Sequence, residues 1–160
     1  MLNLDIEKKT KPRIQKNYIM NKLGPIIIIE DDKDDQEILA EIFTKLDYEN
    51  KILFFHDGFN ALDYLLNATE QPFLILSDIN MPLISGFELR EKVYANSDLR
   101  LKCIPYLFFT TATSQKALLE AYSMSIQGFF VKPTNFQELE KTMRKIVEYW
   151  RECVSPDAVY

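Results

Sequence analysis

A chain of 160 residues with 47% hydrophobic content supplies one domain's worth of core, enough to bury roughly two thirds of its unfolded surface. A net charge of −5 and an isoelectric point near 5.0 argue against a nucleic-acid binder, which needs a basic face to displace counterions. The longest aliphatic run, Ile26 to Ile29, is too short to cross a bilayer, and charges stand at the N-terminus where a signal peptide needs an apolar stretch, so a cytoplasmic protein without membrane contact is expected.

Residues 1–24 form a segment apart. Lys8, Lys9, Lys11, Arg13, Lys16 and Lys22 against Asp5 and Glu7 give +4, which leaves −9 for the remainder. A flexible basic extension is expected there, with Gly24 and Pro25 marking the boundary. From Ile26 the chain alternates between two patterns. Ile26 to Ile29 reads as a strand buried on both faces, ending in Glu30, Asp31, Asp32, Lys33, Asp34 and Asp35, acids that favour a helix start. Ile38, Leu39, Ile42, Phe43 and Leu46 then recur at helical spacing. The second unit is Ile52 to Phe55, a turn at His56, Asp57 and Gly58, and a helix carrying Ala61, Leu62, Leu65 and Leu66. His56 is expected to be a turn or surface residue.

The third unit organises the rest. Phe73, Leu74, Ile75 and Leu76 give way to Ser77 and Asp78, so a carboxylate arrives at the end of a buried strand; Ile79, Asn80, Met81 and Pro82 break the strand, and a helix runs from about Ser85 to Ala95. A fourth strand, Ile104 to Phe109, leads through Thr110 and Thr111 to a helix with Ala117, Leu118, Ala121 and Tyr122. The fifth, Gly128 to Val131, stops at Lys132 and Pro133, and Phe136, Leu139, Met143, Ile146, Val147 and Trp150 stripe a last helix. Strand and helix in strict alternation predict an α/β fold with a doubly wound five-stranded parallel sheet. Cys103 and Cys153 lie far apart and near no histidine, so neither a zinc spacing nor a redox pair is present and both are expected as free thiols.

Parallel order with right-handed crossovers brings every strand's carboxyl end to one edge, where ligands bind in such sheets. Glu30 and Asp31 follow strand one, Asp78 follows strand three, Thr110 ends strand four and Lys132 ends strand five. Each alone is an ordinary cap, turn or surface residue; together they form a site.

At this point the sequence resembles the receiver domains of two-component response regulators. The resemblance covers Pro25 to about Trp150 and rests on Glu30-Asp31 after four isoleucines, on Asp78-Ile79-Asn80-Met81-Pro82 with Gly86 beyond, on a threonine ending strand four, and on Lys132-Pro133 after Gly128-Phe129-Phe130-Val131. It implies the flavodoxin-like (βα)5 fold with strand order 2-1-3-4-5. It also implies Asp78 as phosphoacceptor, Glu30 and Asp31 as magnesium-site acids, Lys132 as the phosphate-pairing cation and Thr110 as the switch hydroxyl. Thr111 rivals Thr110, but Thr110 lies five residues after Pro105 and 22 before Lys132, as the family's spacing requires. The usual aromatic switch, three residues before the lysine, is Phe129. Tyrosine is commoner there, so a phenolic hydrogen bond has no part in this switch.

Phosphoryl transfer to a carboxylate spreads negative charge over three equatorial oxygens that cations must neutralise. Two carboxylates about 4 Å apart already repel by about 4 kcal/mol at an effective dielectric of 20, so Glu30, Asp31 and Asp78 call for Mg²⁺. Asp31 and Asp78 as direct ligands, the Asn80 backbone carbonyl, and Glu30 acting through water suit its oxygen preference. Asn80 and Ala112 flank the site without a carboxylate or second base to activate water, so slow to moderate self-dephosphorylation is expected.

Other classes fit less well. A flavin binder of this fold needs a Gly-rich loop after strand one, where an acidic run stands; an aspartyl-nucleophile phosphatase wants a carboxylate where Asn80 stands; and an EF-hand loop needs a glycine that Asp31 to Glu37 lacks. A receiver-like docking module without phosphotransfer is the remaining alternative. Only residues 151–160 follow Trp150, a tail too short for an output domain. The expectation is therefore a stand-alone receiver that takes phosphate from a sensor histidine kinase or phosphotransfer protein and signals to a downstream protein target, with helix four, strand five and helix five as partner or homodimer face.

Overall fold

The computed structural model describes residues 20–111 and 114–154. The five apolar runs become strands β1 (Ile26–Ile29), β2 (Ile52–Phe55), β3 (Leu74–Ser77), β4 (Tyr106–Thr110) and β5 (Gly128–Val131). The helices are α1 (Lys33–Leu46), α2 (Gly58–Asn67), α3 (Gly86–Ala95), α4 (Ser97–Leu101), α5 (Gln115–Ser123) and α6 (Phe136–Glu152). All strand pairs are parallel, and the sheet order is β2-β1-β3-β4-β5, the doubly wound arrangement expected.

Strand alternation divides the core in two. Ile26 and Ile28 pack with Leu39, Ile42 and Phe43 of α1 and with Leu139, Met143, Ile146 and Val147 of α6. Ile27 and Ile29 face the other way, toward Ala61 and Leu65 of α2, Leu89 and Val93 of α3, Leu99 of α4 and Ala121 of α5. All four isoleucines are at most 2% exposed, each contributing about 1.5–3 kcal/mol on burial, which is why β1 is uninterrupted β-branched sequence.

Two boundaries differ from expectation. Strand β4 begins at Tyr106 rather than Ile104, because Pro105 has no N–H to give the ladder, and it includes Thr110. The short helix α4, capped by the Asn96 side chain on the Leu99 N–H, adds a sixth helix, so the expected fourth helix is α5 and the expected fifth is α6. Of the basic extension expected over residues 1–24, residues 1–19 fall outside the described residues, as do residues 155–160 of the tail. Met20 packs on the α1/α6 core, and the Asn50 amide donates to the carbonyls of Lys22 (3.0 Å) and Gly24 (2.7 Å). Among the described residues no helix is long and apolar enough to cross a membrane.

Candidate functional site

The strand order reverses between β1 and β3, and the carboxyl ends of these two strands carry the acids. The β1–α1 turn is built by Asp32, whose side chain caps α1 by accepting from the N–H groups of Asp34 (2.8 Å) and Asp35 (3.2 Å). Glu30 Oε1 in turn accepts the Asp32 N–H at 3.0 Å. Asp32 is thus spent on local structure, which leaves Asp31 exposed at the rim with its carboxylate toward the crevice.

Beyond β3, Asp78 is 8% exposed. Its Oδ1 accepts the N–H groups of Ile79 (2.5 Å) and Asn80 (3.2 Å), while Oδ2 faces Lys132 Nζ at 3.1 Å. One oxygen is pinned by the backbone and the other is presented to the crevice. Gly86 sets the floor: its N–H bonds the Ile79 carbonyl at 2.8 Å, and a Cβ at this position would lie 2.1 Å from the Asp78 carbonyl oxygen. Helix α3 can start this close to the acid only because residue 86 has no side chain. Ser85 caps that helix in a reciprocal box with Glu88.

One carboxylate oxygen from each of Glu30, Asp31 and Asp78 lies within 4.8 Å of the others. Lys132, its side chain 8% exposed, reaches into this group from the end of β5. Its ammonium donates to Glu30 Oε2, to Asp35 Oδ2 at 2.8 Å and to Asp78 Oδ2 at 3.1 Å, and its backbone N–H bonds the Thr110 carbonyl at 2.9 Å. Burial pushes the Glu30 carboxyl above its usual range despite the neighbouring ammonium. Burial alone would lower the Lys132 ammonium, but its hydrogen bonds to Asp35 and Glu30 and its attraction to the acids outweigh this, so it is held above its ordinary value and stays charged.

The two threonines separate by strand alternation. Thr110, fully buried, shares the face of Phe108, which the register sets opposite Phe129; the Phe129 ring meets Phe108 edge to face at 6.3 Å. Thr111 instead lines a groove of about 310 Å³ between α1 and α6, with Asp35, Ile38, Asn135 and Phe136. At the β5 edge, Tyr122 and Leu119 of α5, Val131 of β5 and Tyr149 of α6 are exposed, whereas Phe130 packs into the α1/α6 core. Ala112 lies outside the described residues. His56 is an exposed turn residue whose Nδ1 meets Gln36 Nε2 at 2.9 Å, and Cys103 and Cys153 are unpaired.

Glu30, Asp31, Asp78 and Lys132 meet at the crevice, Asn80 and Thr110 are joined to Asp78 and Lys132 through backbone hydrogen bonds, and Phe129 stands two strand positions behind Thr110 on one face. Two residues escaped the sequence. Asp35 reads as one more acid in a helix cap, and only the fold brings it to Lys132, 97 positions away. Arg90 of α3 is 6% exposed, donates to the Met124 and Ser125 carbonyls at the end of α5, and lies on the faces of Tyr94 and Tyr106; nothing in its local sequence marks it as buried.

Residues 26–144 match the family model described as the response regulator receiver domain. The chain is 31% identical over 129 residues to the probable methanogenesis regulatory protein FilR2 of Methanothrix harundinacea, covering 78% of this chain and 82% of that protein. It is 27% identical over 135 residues to the response regulator Rcp1 of Synechocystis, covering 81% and 90%. Among solved structures it is similar to the Mn²⁺-bound form of Rcp1, with a TM-score of 0.71, 26% identity and 81% and 96% of the two chains covered. It shares the fold of the phosphorylated cyanobacterial phytochrome response regulator RcpA, with a TM-score of 0.73, 24% identity and 82% and 96% coverage. With the acids of β1 and β3 and the lysine of β5 gathered at one sheet edge and the family model spanning most of its length, the chain belongs to the response regulator receiver domains.

Proposed function

We propose that Asp78 accepts a phosphoryl group from a sensor histidine kinase or a phosphotransfer protein, with Mg²⁺ bound beside it, and that the chain passes the signal to a downstream protein by contact. The observation that carries this reading is the gathering of Glu30, Asp31 and Asp78 oxygens within 4.8 Å, with Lys132 bonded among them. Carboxylate and carbonyl oxygens are the donors a hard divalent cation takes. Asp31, Asp78 and the Asn80 carbonyl would hold Mg²⁺ directly. Glu30 would act through water, since its two oxygens already accept from the Asp32 N–H and Lys132. When bound, Mg²⁺ supplies positive charge to the oxygens of the transferring phosphoryl group.

The chain's own groups divide the remaining work. Asp78 Oδ1 is tied to two backbone N–H groups, so Oδ2 is the attacking oxygen: the Oδ2–P bond forms as the donor's P–N bond breaks, and the electron pair stays on the donor imidazole. Lys132 shifts from Asp78 to the phosphoryl oxygens, and Thr110 offers its hydroxyl to them. Movement of Thr110 changes the space beside Phe129. The Phe129 ring, lacking a hydroxyl, is repositioned by packing alone, and the shift is limited to the difference in contact energy between the two states. The exposed residues of α5, β5 and α6 form the partner or homodimer face. Self-dephosphorylation is slow to moderate, because Asn80 offers no base to water.

On this reading residues 25–150 are the receiver, 1–24 a basic extension and 151–160 a tail, in a cytoplasmic protein that binds neither nucleic acid nor membrane. Intact mass after incubation with acetyl phosphate tests it. A gain of about 80 Da, one phosphoryl group, that requires Mg²⁺ and disappears with chelator is expected. No gain at any Mg²⁺ concentration would favour a docking module without phosphotransfer.

A further inference from the structure

The Lys132 ammonium has three N–H donors, and three carboxylates take them: Glu30, Asp35 and Asp78. Asp78 Oδ2 gives up its share when it bonds phosphorus, and any further donor to the phosphoryl oxygens must be released by Glu30 or Asp35. Glu30 is 2% exposed and its other carboxylate oxygen holds the Asp32 N–H, so it is fixed in the turn that follows β1. Asp35 differs on both counts. Its side chain is 37% exposed, on the first turn of α1, and a χ1 rotation carries its carboxylate into water. Its Oδ2 also lies closer to the ammonium than that of Asp78, at 2.8 against 3.1 Å.

From this geometry we infer that Asp35 is a positioning residue for the phosphoryl chemistry, its carboxylate occupying one Lys132 donor in the resting state until a second phosphoryl oxygen, beyond the one that takes the donor released by Asp78, displaces it. The inference rests on Asp78 being the phosphoacceptor. Asp35 does two opposing things. It holds the lysine extended into the crevice, ready for the phosphoryl group, and it competes with that group both for the donor and through like charge. Once displaced, its carboxylate swings toward the groove lined by Ile38, Thr111, Asn135 and Phe136, so phosphorylation changes the start of α1 as well as the β4–α5 side.

A helix-start acid with no further role would also stabilise α1 through the macrodipole, so stability does not decide the matter. The test is a split between two ligands on the full chain: Mg²⁺ alone, and beryllofluoride at saturating Mg²⁺, each followed by calorimetric titration. Removing a half-exposed partner of the lysine should tighten beryllofluoride binding by about two- to fivefold in Asp35→Ala and Asp35→Asn. Mg²⁺ alone should bind no tighter, because Asp35 lies outside the group that gathers around the metal position and its loss removes attraction for a cation. Asp35→Glu, which keeps the charge and reaches the same ammonium, should return the parent's beryllofluoride affinity. Asp35→Asn preserves side-chain volume and carries the test if Asp35→Ala does not fold. Unchanged beryllofluoride affinity in the neutral variants, or a parallel loss of both ligands, would overturn the inference. A parent that takes neither beryllofluoride nor phosphate on Asp78 would overturn the phosphoacceptor reading with it, whereas a parent that takes both, with indifferent variants, overturns the role of Asp35 alone.

Discussion

Replacing Asp78 by asparagine removes one charge from a crowded edge and should make the metal-free protein more stable. The Asp78 carboxylate has two like-charged neighbours, Glu30 and Asp31, with oxygens no farther than 4.8 Å. At an effective dielectric of 20 each contact at that distance costs about 3.5 kcal/mol, against about 5.4 kcal/mol of attraction to Lys132 at 3.1 Å. The balance favours the neutral side chain by about 1–2 kcal/mol. The replacement keeps the local structure, because an amide oxygen at the Oδ1 position still accepts the Ile79 and Asn80 N–H groups. Lys132 retains Glu30 and Asp35. Urea unfolding in chelator should therefore show the midpoint of Asp78→Asn raised by about 0.5–1 M with an unchanged slope. Saturating Mg²⁺ should reverse the order: at 100 times its dissociation constant the ion stabilises the parent by about 2.7 kcal/mol, while the variant has lost a ligand. A variant less stable than the parent in chelator, or one that keeps the full stabilisation by Mg²⁺, would refute this reasoning.

Three further outcomes are expected. Asp31→Ala should weaken Mg²⁺ binding and phosphorylation together by at least about tenfold, as loss of a direct ligand requires; equal Mg²⁺ affinity in variant and parent would contradict the assignment. The Glu30 carboxyl is raised above 4.5 by burial, so the folded state holds this proton more tightly than the unfolded chain. Its contribution to stability is complete below pH 4.5 and is lost as the pH rises through the folded-state value. The stability of Glu30→Gln relative to the parent, measured in chelator, should therefore increase between about pH 4 and about pH 7, and a flat or falling difference would count against it. Finally, beryllofluoride should move the amide resonances of residues 110–132 more than those of residues 52–66; an unchanged first region would exclude the Thr110 and Phe129 switch even with Asp78 as acceptor.

How much of this was legible in the sequence follows from which interactions are local. The strands were readable because each is an apolar run ended by a charged, polar or turn residue, and a doubly wound order then carries those residues to one edge without further information. The Gly86 requirement was visible as a motif, but its cause, the Asp78 carbonyl 2.1 Å from a hypothetical Cβ, is a tertiary fact. Helix α4 was missed because five residues make little more than one turn and leave no period to detect. Thr110 and Thr111 are adjacent and chemically identical, and only the register, which sets Phe108 against Phe129, separates the switch face from the α1/α6 groove. Asp35 was hidden among four aspartates that all suit a helix start, of which Asp32 serves as the cap and Asp35 reaches across the crevice. Arg90 was hidden because its partners are aromatic faces and backbone carbonyls, which leave no complementary charge in the sequence.

The most direct measurement is intact mass and peptide mapping of the parent and Asp78→Asn side by side after acetyl phosphate and Mg²⁺. One added phosphoryl group, about 80 Da, is expected on the peptide containing Asp78 in the parent, lost on mild alkaline treatment, and none in the variant. Undiminished labelling of Asp78→Asn, or a parent label mapped to another residue, would contradict it.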